Sequence, residues 1–142
     1  MVSLLALSGC SSPDAMKEAV AQEILAADPA IVDVHMTSAT GPGGTRIGAR
    51  VYVDSVETSD LARVLDASLL AILTGSPERP SSYSLDIAEA PKPSTVVLSR
   101  GAIDIDAAVR EAGWYEYFSD DSVSGATDDL EKRFGTWEEL HD

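Results

Sequence analysis

The chain has 142 residues, 24 acidic and 10 basic, with a formal charge of −14 at pH 7. That balance disfavours nucleic-acid binding through a basic footprint and equally a basic clamp on anionic lipid head groups. A single cysteine excludes an internal disulfide, and the length suits one domain with one ordinary core.

In chain order, the first stretch is an apolar run, Val2-Ser3-Leu4-Leu5-Ala6-Leu7. It closes with Ser8, Gly9 and Cys10, followed by Ser11-Ser12-Pro13. The run is far too short to span a bilayer, which needs about 20 apolar residues, but it has the size of the end of a signal-peptide apolar region. The four residues Leu7-Ser8-Gly9-Cys10 resemble the lipobox of bacterial lipoproteins. Small side chains beside the scissile bond let a peptidase approach the backbone there. The resemblance implies that residues 1–9 are removed and that Cys10 is lipidated and becomes the new N-terminus. Residues 10–13 then form a short polar tether, and residues 14–142 a single extracytoplasmic domain held at a cell membrane. Whether that is a plasma or an outer membrane stays open. The family's basic segment ahead of the apolar run is not among these residues. No later run approaches membrane-spanning length.

Residues 14–27 read as a helix. Pro13 and Asp14 suit its start, Met16, Val20, Ile24 and Ala27 recur at helical spacing with Glu23 as a polar exception, and Asp28-Pro29 ends it. Residues 31–39 and 46–54 alternate apolar and polar. The turn Gly41-Pro42-Gly43-Gly44 between them predicts a β-hairpin. One face is expected to carry Val32, Val34, Met36, Ile47, Ala49, Val51 and Val53; the other Asp33, His35, Thr37, Arg46, Gly48, Arg50 and Tyr52. Residues 59–74 show the clearest helical pattern, with Leu61, Val64, Leu65, Leu69, Ile72 and Leu73 on one face. Thr58 or Ser59 is expected to cap it and Gly75 to close it. Alternation predicts a strand over 82–89. A short strand is expected over 95–98, a helix over 103–112, a strand over 114–118 and a helix over 128–134. A capping box at Thr136-Trp137-Glu138-Glu139 opens a last turn. The order implies an α+β fold: a mostly antiparallel sheet with helices packed on one face. Its α-β-β-α-β start resembles ferredoxin-like and related domains, an analogy of fold that carries no activity.

Candidate chemistry is sparse. With Asp120 as the first position of a twelve-residue calcium loop, Ser122, Ser124, Gly125, Asp128 and Glu131 fall at positions three, five, six, nine and twelve. That spacing resembles an EF-hand. Two serines at carboxylate positions weaken it, and Asp128 with Glu131 fits a helix start equally well. Calcium is the one cofactor this spacing suggests. His35 lies on the polar face of its strand and lacks a second histidine at metal-binding spacing. Asp104 and Asp106 suit a helix N-terminus. Residues 100–142 hold twelve acidic and four basic residues, a net of −8, which fits a solvated face or a basic partner. The leading expectation is a lipid-anchored domain that binds a protein or small-molecule partner without evident catalysis. The alternatives are a cation-binding module at residues 120–131, and a hydrolase assembled from distant residues. A deep pocket with a carboxylate beside His35 would favour the hydrolase.

Overall fold

The computed structural model describes residues 13–142. Helix α1 (Pro13–Ala27) leads into strands β1 (Ile31–Gly41) and β2 (Gly44–Val53), then helix α2 (Thr58–Gly75) and strand β3 (Ser82–Glu89). Beyond a long connection lie helix α3 (Asp106–Ala112), a 3₁₀ turn (Tyr115–Tyr117), strands β4 (Phe118–Ser119) and β5 (Ser122–Ala126), and helices α4 (Thr127–Phe134) and α5 (Trp137–Leu140). The fold is α+β, and the five strands form one sheet in the order β1-β2-β3-β5-β4. Every neighbouring pair is antiparallel except β2–β3. A parallel pair needs a long crossover, and α2 supplies it.

Alternation places the core. Val34 faces Val51, Ala49 faces Leu85, and Ile47 faces Tyr83 across the register. All six side chains belong to one buried cluster with the apolar faces of α1 and α2. Leu65, Leu69, Ile72 and Leu73 are fully buried, so the period of α2 is satisfied by the sheet on one side and α1 and α3 on the others. Trp114 and Leu130 close the far end. Gly75 is the last residue of α2 rather than its stop. A Cβ there would lie 2.7 Å from Glu23 Cγ and 3.1 Å from Val20 Cα, so the glycine lets α1 cross closely. This also explains why Glu23 interrupts the apolar pattern of α1. Neither Thr58 nor Ser59 caps α2; Glu57 occupies that position without a side-chain bond, and Ser55 Oγ donates to Asp60 instead.

Three segments depart from the sequence expectation. Residues 95–98 form no strand, because the carbonyls of Val97 and Leu98 accept from Arg50 instead of a ladder. The helix expected from residue 103 starts at Asp106; Ile103 N–H still donates to Ile87 O, and Asp104 Oδ1 accepts from the Asp106 N–H. Residues 114–117 are not a strand. Trp114 packs its ring against Tyr117 and Phe134 and donates through Nε1 to Asp66, which winds the chain into a 3₁₀ turn. The capping box is present, with Thr136 Oγ1 accepting from Glu139 N–H and Glu139 Oε1 accepting from Thr136 N–H. Leu69→Ala should destabilise the domain by about 2–5 kcal/mol, since a buried leucine loses both transfer energy and packing. A drop in the urea midpoint with unchanged slope is the expected reading.

Candidate functional site

The face of the sheet opposite the helices is built from the polar half of each alternating strand. The register sets His35 beside Arg50 and Arg50 beside Asp86, and sets Thr37, Gly48, Ser84 and Ser124 in the next row. Arg50 was expected to point to solvent. It is instead 3% exposed, because the connection between β3 and α3 lies across it. Its guanidinium has five N–H donors in a planar fork, and all five are used. Nε and one terminal nitrogen grip Asp86 at 2.9 Å each. The remaining bonds reach the carbonyls of Leu98 at 2.9 Å, Arg100 at 2.6 Å and Val97 at 3.3 Å. The bidentate carboxylate holds the guanidinium firmly charged, outweighing the effect of burial. Gly101, at φ +101°, leaves room for the guanidinium, which would lie 3.2 Å from a Cβ at that position. Lys92 adds a second tie, donating to Val34 O at 2.9 Å.

Beside this strap the face stays open. A depression of about 180 Å³ is lined by His35, Thr37, Ser84, Asp86, Leu98 and Ser122, among others. A second, of about 420 Å³, shares Ser84 and Ser122 with it and reaches Ser124 and Arg46. Gly48 lies between Thr37 and Ser84, and a Cβ there would press on both hydroxyls, so the glycine lets the two close over the strand. Arg46 donates through Nε to Ser82 Oγ at 3.3 Å. It makes no ion pair among the described residues. Asp86 is the one carboxylate lining either depression, and Arg50 neutralises it. Arg46 is then the unpaired charge among the residues lining the trough. Burial, then Lys92, Arg50 and Lys17, hold the His35 pKa below the ordinary 6.5 against the opposing pull of Asp86. The carboxylate beside His35 that would favour hydrolysis is present. It is committed to Arg50, however, and no hydrogen bond reaches the imidazole among the described residues.

The proposed calcium ligands are not brought together. Asp120 and Asp121, at φ 51° and 65°, form the two-residue turn of the β4–β5 hairpin, a conformation matched to tight hairpins. Ser122 and Ser124 lie in strand β5 and cannot curl into a loop. Gly125 is not a turn residue either. It faces Asp129 and Tyr83, where a Cβ would lie 2.6 Å from Asp129 Oδ2. Asp128 and Glu131 both pair with Arg79, at 3.1 and 2.6 Å. The Arg79 bond, with a further bond from the Trp137 N–H, holds the Glu131 carboxyl below its usual range. Among the described residues no group of three or more metal-ligating side chains could hold an ion. At residues 120–131 a hairpin turn, a strand and a salt-bridged helix start stand where the spacing predicts a calcium loop. Cys10 lies outside the described residues.

No protein-family model matches the chain, and neither a curated protein nor a solved structure gives a match. The trough itself was hidden from sequence reasoning because it depends on the β2–β3 and β3–β5 registers. The signal available was the run of small and hydroxyl residues at alternate positions of 82–84 and 122–124.

Two outcomes follow from this geometry. Arg50→Met leaves the half-buried Asp86 carboxylate without its cation and the strap carbonyls unpaired, so it should cost about 3–5 kcal/mol; adding Asp86→Leu should recover part of that loss in the unfolding midpoint. His35 is held neutral in the folded chain, so the unfolded chain binds the proton first as pH falls. Its contribution to stability is complete above 6.5 and is lost as pH drops from there through the folded value. Urea midpoints between pH 7.5 and 5 should therefore fall more steeply for wild type than for His35→Gln. The effect precedes the acid loss from Asp28 and Glu131, whose lowered carboxyls titrate in a more acidic range.

Proposed function

We propose that the chain is a lipid-anchored, extracytoplasmic binding domain. It takes a small ligand bearing an oxyanion on the uncovered part of the sheet. The carrying observation is the trough of Thr37, Ser84, Ser122 and Ser124 beside Arg46, with no unpaired carboxylate lining it. The hydroxyls offer both donors and acceptors. Arg46 offers its terminal donors to an anion in the planar geometry that oxyanions match. An anion beside His35 would raise its proton affinity, against the burial that lowers it. Strands place these groups on a rigid surface, and the Arg50 strap fixes one wall. The anchor rests on the lipobox resemblance at Leu7-Ser8-Gly9-Cys10, and a membrane is then the first partner. One acyl chain gives only reversible attachment, so stable anchoring requires two or more.

Anchor and site are tested separately. In a bacterial host, a palmitate analogue should label the wild-type chain and fail to label Cys10→Ala; equal labelling of both removes the anchor. For the site, inorganic phosphate titrated into the chain should shift the amide signals of Thr37, Ser84 and Ser124 and raise the His35 pKa. Arg46→Ala removes a charge-assisted hydrogen bond of about 1.5–3 kcal/mol, so phosphate should bind at least roughly tenfold more weakly. Shifts spread over the surface, or unchanged affinity in Arg46→Ala, refute the site.

A further inference from the structure

Strand β1 is an edge of the sheet, and it is eleven residues long. An unpaired edge is a template for another strand, and native edges are usually blunted by charge, proline or a bulge. In β1 those devices are confined to one end. A register irregularity lies between Ile31 and Asp33. Gly41 and Gly44 pair across the two-residue turn, and antiparallel pairs alternate between bonded and non-bonded. Counting back from the turn, Gly41, Ala39, Thr37 and His35 bond to β2. Thr40, Ser38, Met36 and Val34 thus direct their backbone groups away from it. At Val34 both outward groups are already engaged: Asp33 Oδ1 accepts from its N–H at 2.9 Å and Lys92 Nζ donates to its carbonyl at 2.9 Å. At Met36, Ser38 and Thr40 no described group meets the outward N–H or carbonyl, and residues 36–41 carry no charge.

We propose that this open segment pairs with the same segment of a second copy of the chain, antiparallel and centred on Ser38. The register follows from the two ends. With Ser38 opposite Ser38 of the second copy, Met36 faces Thr40 of the second copy and each open backbone group finds a partner. Val34, whose groups are engaged, then falls opposite Pro42 of the second copy, which has no N–H to offer. The side-chain clamp thus ends the pairing where the other copy's turn begins, and the arrangement is two-fold symmetric and closed. The result is a continuous ten-stranded sheet with both troughs on one surface. The charge of −14 on each copy opposes association at long range, while the contact itself is neutral. Salt, which shortens the reach of that repulsion to about 8 Å or less at physiological strength and above, should therefore strengthen the dimer.

Sedimentation equilibrium of the full 142-residue chain tests this. A monomer–dimer equilibrium in the micromolar to millimolar range, shifting toward dimer as salt is raised, is expected. Ser38→Pro removes an outward N–H without touching a bond to β2 and should give a monomer with unchanged circular dichroism. The register is read independently by cysteine. In a Cys10→Ser background, Ser38→Cys should crosslink to its own copy, because directly bonded residues sit about 5.5 Å apart between Cα atoms, within disulfide reach. Thr40→Cys, which faces Met36 of the second copy, should not. A chain that stays monomeric at all concentrations and salts overturns the proposal. So does a dimer that a folded Ser38→Pro leaves intact, or one that crosslinks at Thr40 and not at Ser38.

Discussion

The Arg50 guanidinium is the contact on which the second half of the molecule depends. A buried charge is tolerated only when its donors are matched. Here the matching groups come from two places: the Asp86 carboxylate on the adjacent parallel strand and three carbonyls of the connection that follows it. The first fixes which residue of β3 lies beside which residue of β2. The second turns a proline-rich connection with no regular structure into a strap. Without Arg50 those carbonyls would face the sheet unpaired, and the face would lose the wall that separates its covered half from its open half. Helices provide the core on the other side; a single side chain organises this one.

Charge elsewhere is handled by smaller versions of the same device. Arg63 joins Asp28 at 2.6 Å and Asp60 at 2.9 Å, linking the end of α1 to α2. Arg79 joins Asp128 and Glu131, tying the loop before β3 to α4. Arg133 reaches Asp66 at 2.7 Å and lies over the Trp114 ring. With only ten basic residues against twenty-four acidic ones, most arginines are placed where two segments distant in the chain must meet. Arg46 also reaches a distant segment, at Ser82, but through a hydroxyl and with no carboxylate partner among the described residues.

The fold was legible where period and punctuation agree. The alternation of 31–39 and 46–54 around Gly41-Pro42-Gly43-Gly44 defined the hairpin, and the spacing from Leu61 to Leu73 defined α2. Legibility failed where tertiary contact overrides local pattern. Ser122-Val123-Ser124-Gly125-Ala126 has a single large apolar residue, so β5 is visible only through its pairing with β3. The same residues, read along the chain, resembled a calcium loop. Residues 114–118 look like a strand by composition, yet burial of Trp114 against Phe134 winds 115–117 up and leaves only Phe118 in a strand. Of the trough, the polar alternation of His35, Arg46 and Arg50 could be read. The pairing of Arg50 with Asp86, 36 residues on, could not, because nothing local announces a parallel register.

That separation has a consequence for how the chain comes into being. As the chain emerges N-terminus first, Arg50 precedes Asp86, and the α1–β1–β2–α2 portion can collapse before β3 arrives. Until β3 arrives, β2 is itself an edge and its most apolar row, Ile47, Val51 and Val53, lacks a flank. The order of emergence makes the nascent domain most prone to wrong pairing in the interval between residues 53 and 82. The arrival of Asp86, followed at once by the carbonyls that complete Arg50, ends that interval by locking the parallel register in place.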